Sequence, residues 1–453
     1  MLKKLLYLWL FYLLIIPSFA QEQLTASNMK LLSNWQLPEV GVYYNDIWGY
    51  SANGREYAII GSNAKTNFVD VTNPTDPVLI ASFFGNDSNV VWRDFKTYGH
   101  YAYGVADGGK NSLQIFDLQY LPDKVVKVYD SDFPTRSAHN CFIDNGKLYL
   151  ISNRSNQHGF VAADVYSLVE PTLPRYLGTF RSTFYNDFHD VYVKNDTAYC
   201  SAAYKGMVMF NIKDINNPVL LGSISSYPYQ GYNHSSWTTS DSKILVMADE
   251  VPQGLPLKIY DISDFSQPKF LSTFQSTPGG PGVTGSTPHN PFIYGDHVIV
   301  SYYHDGVQVY NISDPKNPVR VGYYDTYPDN SDFSGFRGCW GVYPYLPSGN
   351  IIASDITHGL FVLTPPYELL PTNQPQTASV YPNPANGVFR VKTSSPVTAK
   401  ELMLYNLTGQ KIPATFYPVA PNTFELAVPV AQGLYVLRVE GGTEATAVKV
   451  LVQ

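Results

Sequence analysis

The sequence predicts an all-β protein: a seven-bladed β-propeller of four-stranded blades, followed by a small β-sandwich. The first observation is a short sequence word that returns at a spacing of roughly 50 residues, as propeller blades do. The second is that each unit holds short apolar strands separated by Asn, Asp and Gly turns, without helical periodicity. The third is a change of composition after residue 365, where a Pro-rich stretch begins.

The N-terminus has the layout of a secretory signal peptide. Lys3 and Lys4 precede an apolar run over residues 5–16, and Ser18, Phe19 and Ala20 supply a small-x-small cleavage step. The apolar run is short for a membrane span. We therefore predict that residues 1–20 are a signal peptide and that the protein passes through the periplasm.

The repeated word opens the first strand of each predicted blade. The seven words are NDIW at residue 45, RDF at 93, HNCF at 139, HDVY at 189, HSSW at 234, HNPF at 289 and WGVY at 340. Each is followed by a turn and a strand such as KLYLIS or KILVMA, then by a third strand such as VQVYNI. Loops such as SDPKNP lead to the fourth strand, and their Asp and Pro residues favour turns. Residues 28–365 therefore form the predicted propeller.

The last unit has no fourth strand of its own after GLFVLTPP. Residues 29–35, which read MKLLSNW, resemble the fourth strands of other units. We expect this N-terminal strand to complete the seventh blade, because ring closure removes exposed sheet edges. Leu31 and Leu32 should then lie beside Phe361 and Leu363.

Residues 366–378 form a predicted Pro-rich linker, and residues 379–453 a separate domain. This last segment alternates strands with Gly turns, as in SVYPNPANGVFRV and GLYVLRVEGG, which is typical of a small β-sandwich.

Composition excludes some partners. The formal net charge is −7, and no run of Lys and Arg interrupts the acidic balance, so nucleic-acid binding is not expected. Three cysteines, Cys141, Cys200 and Cys339, are too few for a disulfide framework; buried free thiols are the favoured interpretation, and one disulfide pair is the alternative. We expect a monomer.

The C-terminal segment resembles a known family. The words YPNPANG, LYNLTGQ, GLYVLRV and the terminal KVLV occur in the order found in the type A sorting domain of the Bacteroidetes type IX secretion system. The resemblance covers residues 379–453. It implies that this segment engages the secretion machinery, and that the protein is released or attached at the outer-membrane surface.

The repeats resemble the LVIVD family. The stretch NDIWGYSANGREYAIIGSNAKTNFVDVTNPTDP looks like the first repeat of the choice-of-anchor B proteins, and the resemblance covers roughly residues 29–365. It implies a propeller body at the cell surface but no particular activity.

Four consecutive units carry His at the same place. In a propeller the first strand lines the central channel, so these residues should meet at one mouth. The candidate metal ligands are His139, His189, His234 and His289. The candidate ligand-binding residues, from first strands or the ends of second strands, are Arg93, Asp107, Asp249, Glu250, Trp340 and Asp355.

Three interpretations of the His ring remain open. In the first, the imidazoles are structural and bond the backbone of a neighbouring blade. They could bind a transition metal such as Zn, for which imidazole and carboxylate are suitable ligands. They could also form a cationic mouth for an anion, with Arg93 as a bidentate partner.

The leading functional hypothesis is a non-enzymatic binding scaffold with its ligand at this mouth. A glycan, a peptide or a surface protein is the expected ligand class, since Tyr and Trp residues near the blade ends can stack on such groups. The alternative is a metal-dependent hydrolase or lyase with Asp249 or Glu250 as base. No GxSxG, P-loop or GxGxxG motif follows a suitable strand, so a serine nucleophile or a nucleotide is not expected.

Overall fold

The computed structural model describes residues 25–453, apart from 109–112, 134, 183–184, 186, 277–284, 329–332, 334, 367–368, 370–377, 387, 394–396, 421, 427–430 and 440–445. The predicted signal peptide and most of the predicted linker lie outside the described residues. Within the described part of the chain, no helix has the length and apolar character of a transmembrane segment.

Seven antiparallel sheets, counted over the described residues, form a β-propeller. Two short strands, β1 (Ala26–Ser27) and β2 (Leu31–Trp35), come first. The strands of blades 1 to 7 then follow in chain order: β3 (Tyr44–Ala52), β4 (Arg55–Ser62), β5 (Lys65–Asp70), β6 (Val78–Phe84); β7 (Trp92–Tyr98), β8 (Tyr101–Asp107), β9 (Leu113–Asp117), β10 (Val126–Ser131); β11 (Thr135–Ser137), β12 (Asn140–Asp144), β13 (Lys147–Ser155), β14 (Gly159–Ser167), β15 (Arg175–Phe180); β16 (Asp190–Lys194), β17 (Thr197–Ser201), β18 (Met207–Asn211), β19 (Val219–Ile224); β20 (Asn233–Thr238), β21 (Ile244–Asp249), β22 (Leu257–Asp261), β23 (Lys269–Phe274); β24 (Pro291–Tyr294), β25 (His297–Ser301), β26 (Val307–Asn311), β27 (Val319–Tyr324); β28 (Cys339–Tyr343), β29 (Ile351–Asp355), β30 (Gly359–Leu363).

The hydrophobic core lies between the blades. Each of seven buried clusters is shared by two neighbouring blades, so both faces of every sheet are covered. Alternate side chains of one strand point to opposite neighbours: in β4, Tyr57 and Ile59 face blade 2, while Ala58 and Ile60 face blade 7. This explains why the middle strands are continuous apolar runs rather than alternating ones.

The N-terminal strand β2 pairs antiparallel with β30 as the fourth strand of blade 7. Leu31 stands opposite Leu363, and Asn34, rather than a leucine, stands opposite Phe361. A register shift between Leu31 and Ser33 produces this offset. Met29 enters the core shared by blades 6 and 7.

Among the described residues, two blades have a fifth strand that the repeat pattern did not indicate. In blade 3, β11 and β12 both pair with the long strand β13, so the inner edge is divided around His139. In blade 6, β1 adds to the outer edge, with Ala26 opposite Tyr324. The second addition covers an edge that would otherwise expose unpaired backbone groups.

The loops before the fourth strands are Asx turns. Asp214 Oδ1 accepts the backbone N–H of Asn216 at 3.0 Å, and Asp314 Oδ1 accepts that of Lys316 at 3.1 Å. Side chains that bond their own backbone two residues on stabilise turns without a ligand.

The three cysteines are buried free thiols.

In the described part of the C-terminal domain, eight strands surround a separate core. They are β31 (Ala378–Asn386), β32 (Val388–Thr393), β33 (Leu402–Asn406), β34 (Lys411–Ile412), β35 (Phe416–Ala420), β36 (Thr423–Leu426), β37 (Gly433–Val439) and β38 (Thr446–Val452), with one 3₁₀ turn at Ala399–Glu401. Strand β31 pairs with β32 along its first half and touches β38 at Ala385. Side chains from the strands on either side of this contact, such as Phe389 of β32 and Leu437 of β37, form one buried cluster.

Replacing Met29 by Ala tests whether the N-terminal segment is part of the ring. Met29 is 4% exposed within the core of blades 6 and 7, whereas Leu31 is 41% exposed. We expect Met29→Ala to lower the free energy of unfolding by about 2–5 kcal/mol. Leu31→Ala is the matched control and should cost far less. Equal effects in urea unfolding would contradict a buried anchor before β2.

Candidate functional site

The four histidines occupy equivalent places at the inner edges of blades 3 to 6. The backbone N–H of His139 donates to Ile151 O at 3.0 Å, that of His189 to Ser201 O at 2.8 Å, and that of His289 to Ser301 O at 2.9 Å. Each bond joins the first strand region to the second strand of the same blade. These hydrogen bonds therefore fix the backbone position from which each of these three side chains projects.

The imidazoles form a continuous row of tilted and edge-on ring contacts around part of the channel. Ring centroids lie 4.4 Å apart for His139 and His189, 4.2 Å for His189 and His234, and 4.3 Å for His234 and His289. The indole of Trp340 extends the row edge-on, 5.1 Å from His289. We call these four imidazoles the His layer.

Three of the imidazoles direct Nδ1 at an oxygen of a neighbouring blade. His139 Nδ1 lies 2.9 Å from Asp107 Oδ2, His189 Nδ1 lies 3.3 Å from His234 O, and His289 Nδ1 lies 2.5 Å from Trp340 O. A carbonyl or an ionised carboxylate only accepts, so these Nδ1 atoms carry the protons. The hydrogen bond from His139 lowers the pKa of Asp107. Such bonds across blades match the structural interpretation of the ring.

Burial lowers the pKa of three imidazoles of the His layer. Burial, followed by the neighbouring imidazoles, lowers the pKa of His189 well below its ordinary value. Burial and the nearby His ring lower the pKa of His234 to about 3, and burial also lowers that of His289 to about 3. These lowered pKa values argue against a cationic mouth at His189, His234 and His289.

An acidic layer lies one residue further along the first strands. Asp46, Asp94 and Asp190 line the same cavity as the His layer, and Lys96 Nζ lies 2.6 Å from Asp94 Oδ1. Burial and the Asp94 charge raise the pKa of Asp46 well above its ordinary value. Burial raises that of Asp190 to about 6. Gly341 leaves space for Asp46, because a Cβ there would overlap its carboxyl oxygen.

Aromatic rings fill the channel beyond the acidic layer. Trp48 of blade 1 contacts Phe292 of blade 6, with centroids 6.2 Å apart, and Phe142 of blade 3 contacts Trp237 of blade 5 at 6.1 Å. These contacts connect blades that are not neighbours, so they cross the channel. Lys96 takes the equivalent position in blade 2, with Nζ 4.5 Å from the centre of the Trp48 ring.

The layers enclose a cavity of about 90 Å³. Several buried polar atoms on its wall have no hydrogen-bond partner among the described residues: Asn140 Oδ1, Ser236 Oγ and Asn290 Oδ1. His234 Nδ1 has none either. Buried polar groups are normally hydrogen-bonded, so this concentration marks the cavity as a candidate site.

The structure brings together seven of the ten residues that the sequence proposed. The cavity is lined by Arg93, His139, His189, His234, Glu250, His289 and Trp340. Asp107 touches it through its bond to His139. The Arg93 guanidinium is directed at the backbone of blade 1, because Nε donates to Ser62 O at 2.8 Å. Burial lowers the pKa of Arg93 to about 10.

Asp249 and Asp355 instead belong to buried networks behind the cavity wall. Asp249 pairs with Lys258 Nζ at 2.9 Å and accepts from Tyr227 and Asn233 at 3.1 and 3.0 Å. Asp355 accepts from the Thr326 hydroxyl at 2.8 Å. Their acceptor oxygens are used by the fold, which leaves neither free to act as base.

The acidic layer was missed from the sequence although a signal was present. Asp46, Asp94 and Asp190 each follow the first letter of a repeated word: NDIW, RDF and HDVY. The repeated His at the first position of the word is the stronger pattern, because it occurs in four consecutive units. The role of Tyr303, whose hydroxyl donates to Glu250 Oε1 at 2.7 Å, had no comparable signal.

Comparison with known proteins defines the fold class and the export route. The family of secretion system C-terminal sorting domains matches residues 379–453. No curated protein matches the chain. Among solved structures, the RRP9 WD40 repeats share 11% identity over 74% of this chain and 97% of that chain, with a TM-score of 0.51. The extracellular domain of the hybrid two-component system BT4673 from B. thetaiotaomicron shares 13% identity over 80% of this chain and 44% of that chain, with a TM-score of 0.49.

The chain is thus a β-propeller protein with a sorting domain. The sorting domain directs export by the type IX secretion system to the cell surface or the extracellular space, and it is the segment that interacts with that machinery. The sequence predictions of fold class and location are confirmed.

Asp249→Asn tests whether Asp249 serves stability. The change leaves Lys258 buried without its charged partner, and we expect a loss of about 3–5 kcal/mol in the free energy of unfolding. The double variant Asp249→Asn/Lys258→Met removes the orphaned charge and should recover part of that loss. Guanidinium unfolding measures both; a double variant as unstable as the single one would disprove the pairing argument.

His234→Gln tests the neutral state of the His layer in chelator-treated protein. The pKa of His234 is lowered to about 3 in the folded state, below the unfolded value of about 6.5. Its contribution is therefore complete above pH 6.5 and is lost as pH falls towards 3. Relative to the Gln variant, the wild type should lose about 2 kcal/mol of stability between pH 7.5 and 5. A stability difference between wild type and variant that does not change with pH would show that the pKa of His234 is not lowered by folding.

Proposed function

We propose that the protein is an exported binding protein that takes a hydroxyl-rich oligosaccharide at the His-bearing mouth of its channel. One observation carries the proposal: a small polar cavity with unpartnered hydrogen-bonding atoms opens among exposed aromatic rings. Sugars combine hydroxyl groups with apolar ring faces, so they need both kinds of contact.

The aromatic rim consists of Trp92, Tyr204, Tyr232 and Phe336. Trp92 and Tyr232 contact the His layer, with centroids 6.0 Å from His139 and 5.3 Å from His189. Tyr204 packs on Tyr232 at 5.2 Å, and Phe336 on Tyr303 at 5.0 Å. Trp92 and Phe336 remain 42% and 43% exposed, which leaves surface for a ligand.

The size of the cavity limits what enters it. About 90 Å³ holds a small polar group rather than a whole sugar chain. The amide oxygens of Asn140 and Asn290 and the hydroxyl of Ser236 would bond such a group, while the rim stacks on the adjoining ring. A peptide presenting one polar side chain would meet fewer of the aromatic surfaces.

The resemblance of the repeats supports a location for this binding. We infer that the propeller is related to the LVIVD and choice-of-anchor B proteins, on the strength of its repeat words. Residues 1–20 would direct the chain into the periplasm. The sorting domain would then be removed at the surface, where the propeller is either attached or released.

A metal-dependent hydrolase or lyase is the second candidate. One observation favours it: a ligand atom from each of His189, His234 and Glu250 lies within 4.8 Å of the other two. Two imidazoles and a carboxylate with an open position form a donor set typical of hydrolytic zinc sites. Asp249 is held by Lys258 and Glu250 belongs to this donor set, so neither carboxylate is free to act as the base of the sequence-based mechanism.

Oligosaccharide binding can be tested on an array of neutral oligosaccharides with the full chain. We expect retention of a defined class, weakened about tenfold by Trp92→Ala or Phe336→Ala, because each removes one stacking surface. Phe270→Ala is the matched control, since Phe270 is similarly exposed but lies on the outer strand β23. Absence of binding, or equal loss in all three variants, would overturn the proposal.

A further inference from the structure

The His layer contains two imidazole nitrogens that face each other. His139 Nε2 and His189 Nε2 are 3.0 Å apart. Since Asp107 and the His234 carbonyl hold the protons on both Nδ1 atoms, both Nε2 atoms present lone pairs. Two lone pairs at this distance repel unless a cation lies next to both.

Two cations meet this need. One is a proton on His139, with the Asp107 carboxylate 2.9 Å from its Nδ1 as counter-ion; the other is a metal ion, and the metal content of the protein distinguishes them. A neutral N–H···N bond would require His189 to move its proton to Nε2, and its Nδ1 lone pair would then face the carbonyl oxygen 3.3 Å away. A metal ion satisfies both nitrogens and leaves both Nδ1 hydrogen bonds intact.

His234 and Glu250 are further donors close to His189, because one ligand atom from each of these three residues lies within 4.8 Å of the other two. His234 is 4% exposed, its Nδ1 has no partner among the described residues, and its Nε2 lies 3.8 Å from Glu250 Oε1. Ligands on one tetrahedral ion with bonds of about 2.1 Å are about 3.4 Å apart. His139 is joined to this group through His189, with the two Nε2 atoms 3.0 Å apart. Its side chain must therefore rotate towards His234 and Glu250 for all four residues to bind one ion.

We propose that His139, His189, His234 and Glu250 form a binding site for one transition-metal ion, with Asp107 as a positioning residue. This goes beyond oligosaccharide binding, because none of the rim aromatics takes part. Imidazole with one carboxylate selects zinc or a similar transition ion over Ca²⁺ or Mg²⁺, which prefer oxygen ligands.

The surrounding contacts resemble those that hold metal ligands in place. Asp107 fixes the His139 tautomer, and the Tyr303 hydroxyl holds Glu250 Oε1 at 2.7 Å. His289 is outside the proposed donor set. Its ring lies 4.3 Å from that of His234, but it does not belong to the group of His189, His234 and Glu250. His139 differs, because its Nε2 lies 3.0 Å from a member of that group. That difference supplies a control within the His layer.

The experiment is zinc binding by the full chain, purified without a His tag. The protein is stripped with chelator, dialysed against ZnCl₂ and analysed for metal, and its thermal midpoint is measured with Zn²⁺ and with Ca²⁺. We expect near-stoichiometric zinc and a rise in the midpoint with Zn²⁺ only. His189→Asn, His234→Asn and Glu250→Gln should lose the zinc, whereas His289→Asn should retain it. Asp107→Asn should weaken affinity about 10- to 100-fold.

Circular dichroism shows which variants remain folded, and Glu250→Gln and Asp107→Asn decide the matter if a His variant does not fold. No zinc in folded wild type, or zinc unaffected by these two changes, would overturn the site. Loss of zinc in His289→Asn equal to that in His234→Asn would refute the donor set. Zinc binding without turnover of ester substrates would exclude the hydrolase candidate alone, and the oligosaccharide array stays an independent test.

Discussion

Closure of the ring is the constraint on which the rest of the structure depends. Every blade buries both faces, and each hydrophobic cluster needs side chains from two blades. An open ring would leave two blade faces exposed to water, with a large loss of buried apolar area. The pairing of β2 with β30 and the insertion of Met29 between blades 6 and 7 therefore stabilise the whole propeller, although they involve few residues.

Closure of the ring also brings polar and aromatic side chains from all blades together in the channel. Seven first strands converge on one axis, so each position of the repeated word becomes a layer of side chains. His139, Asn140 and Phe142 show the pattern within one blade: imidazole, polar group and aromatic ring in turn along the channel. The aromatic layer crosses the channel, and the polar layers face the cavity near the mouth. Burial lowers the pKa of His189, His234 and His289, which suits these imidazoles for hydrogen bonding or coordination rather than for binding anions.

The sequence was sufficient to predict the blades and the end of the channel where the histidines meet, because period and strand direction determine both. It could not predict side-chain direction. Arg93 and Asp249 occupy suitable positions, yet Arg93 bonds the Ser62 carbonyl and Asp249 pairs with Lys258, across separations of 31 and 9 residues. Such pairings depend on packing between strands, and no local pattern records them. The divided inner edge of blade 3 likewise follows from register rather than composition.

The structural and ligand-binding interpretations of the histidines are compatible, because they use different nitrogens. Nδ1 of His139 and of His189 each bonds an oxygen of a neighbouring blade, which favours the register between blades. The same bond fixes the proton on Nδ1 and leaves Nε2 with a lone pair. A repeat that copies the residue for its structural bond therefore also brings the Nε2 atoms of neighbouring blades together. Where two of them meet at 3.0 Å, the electrostatic cost is relieved by the proposed ion.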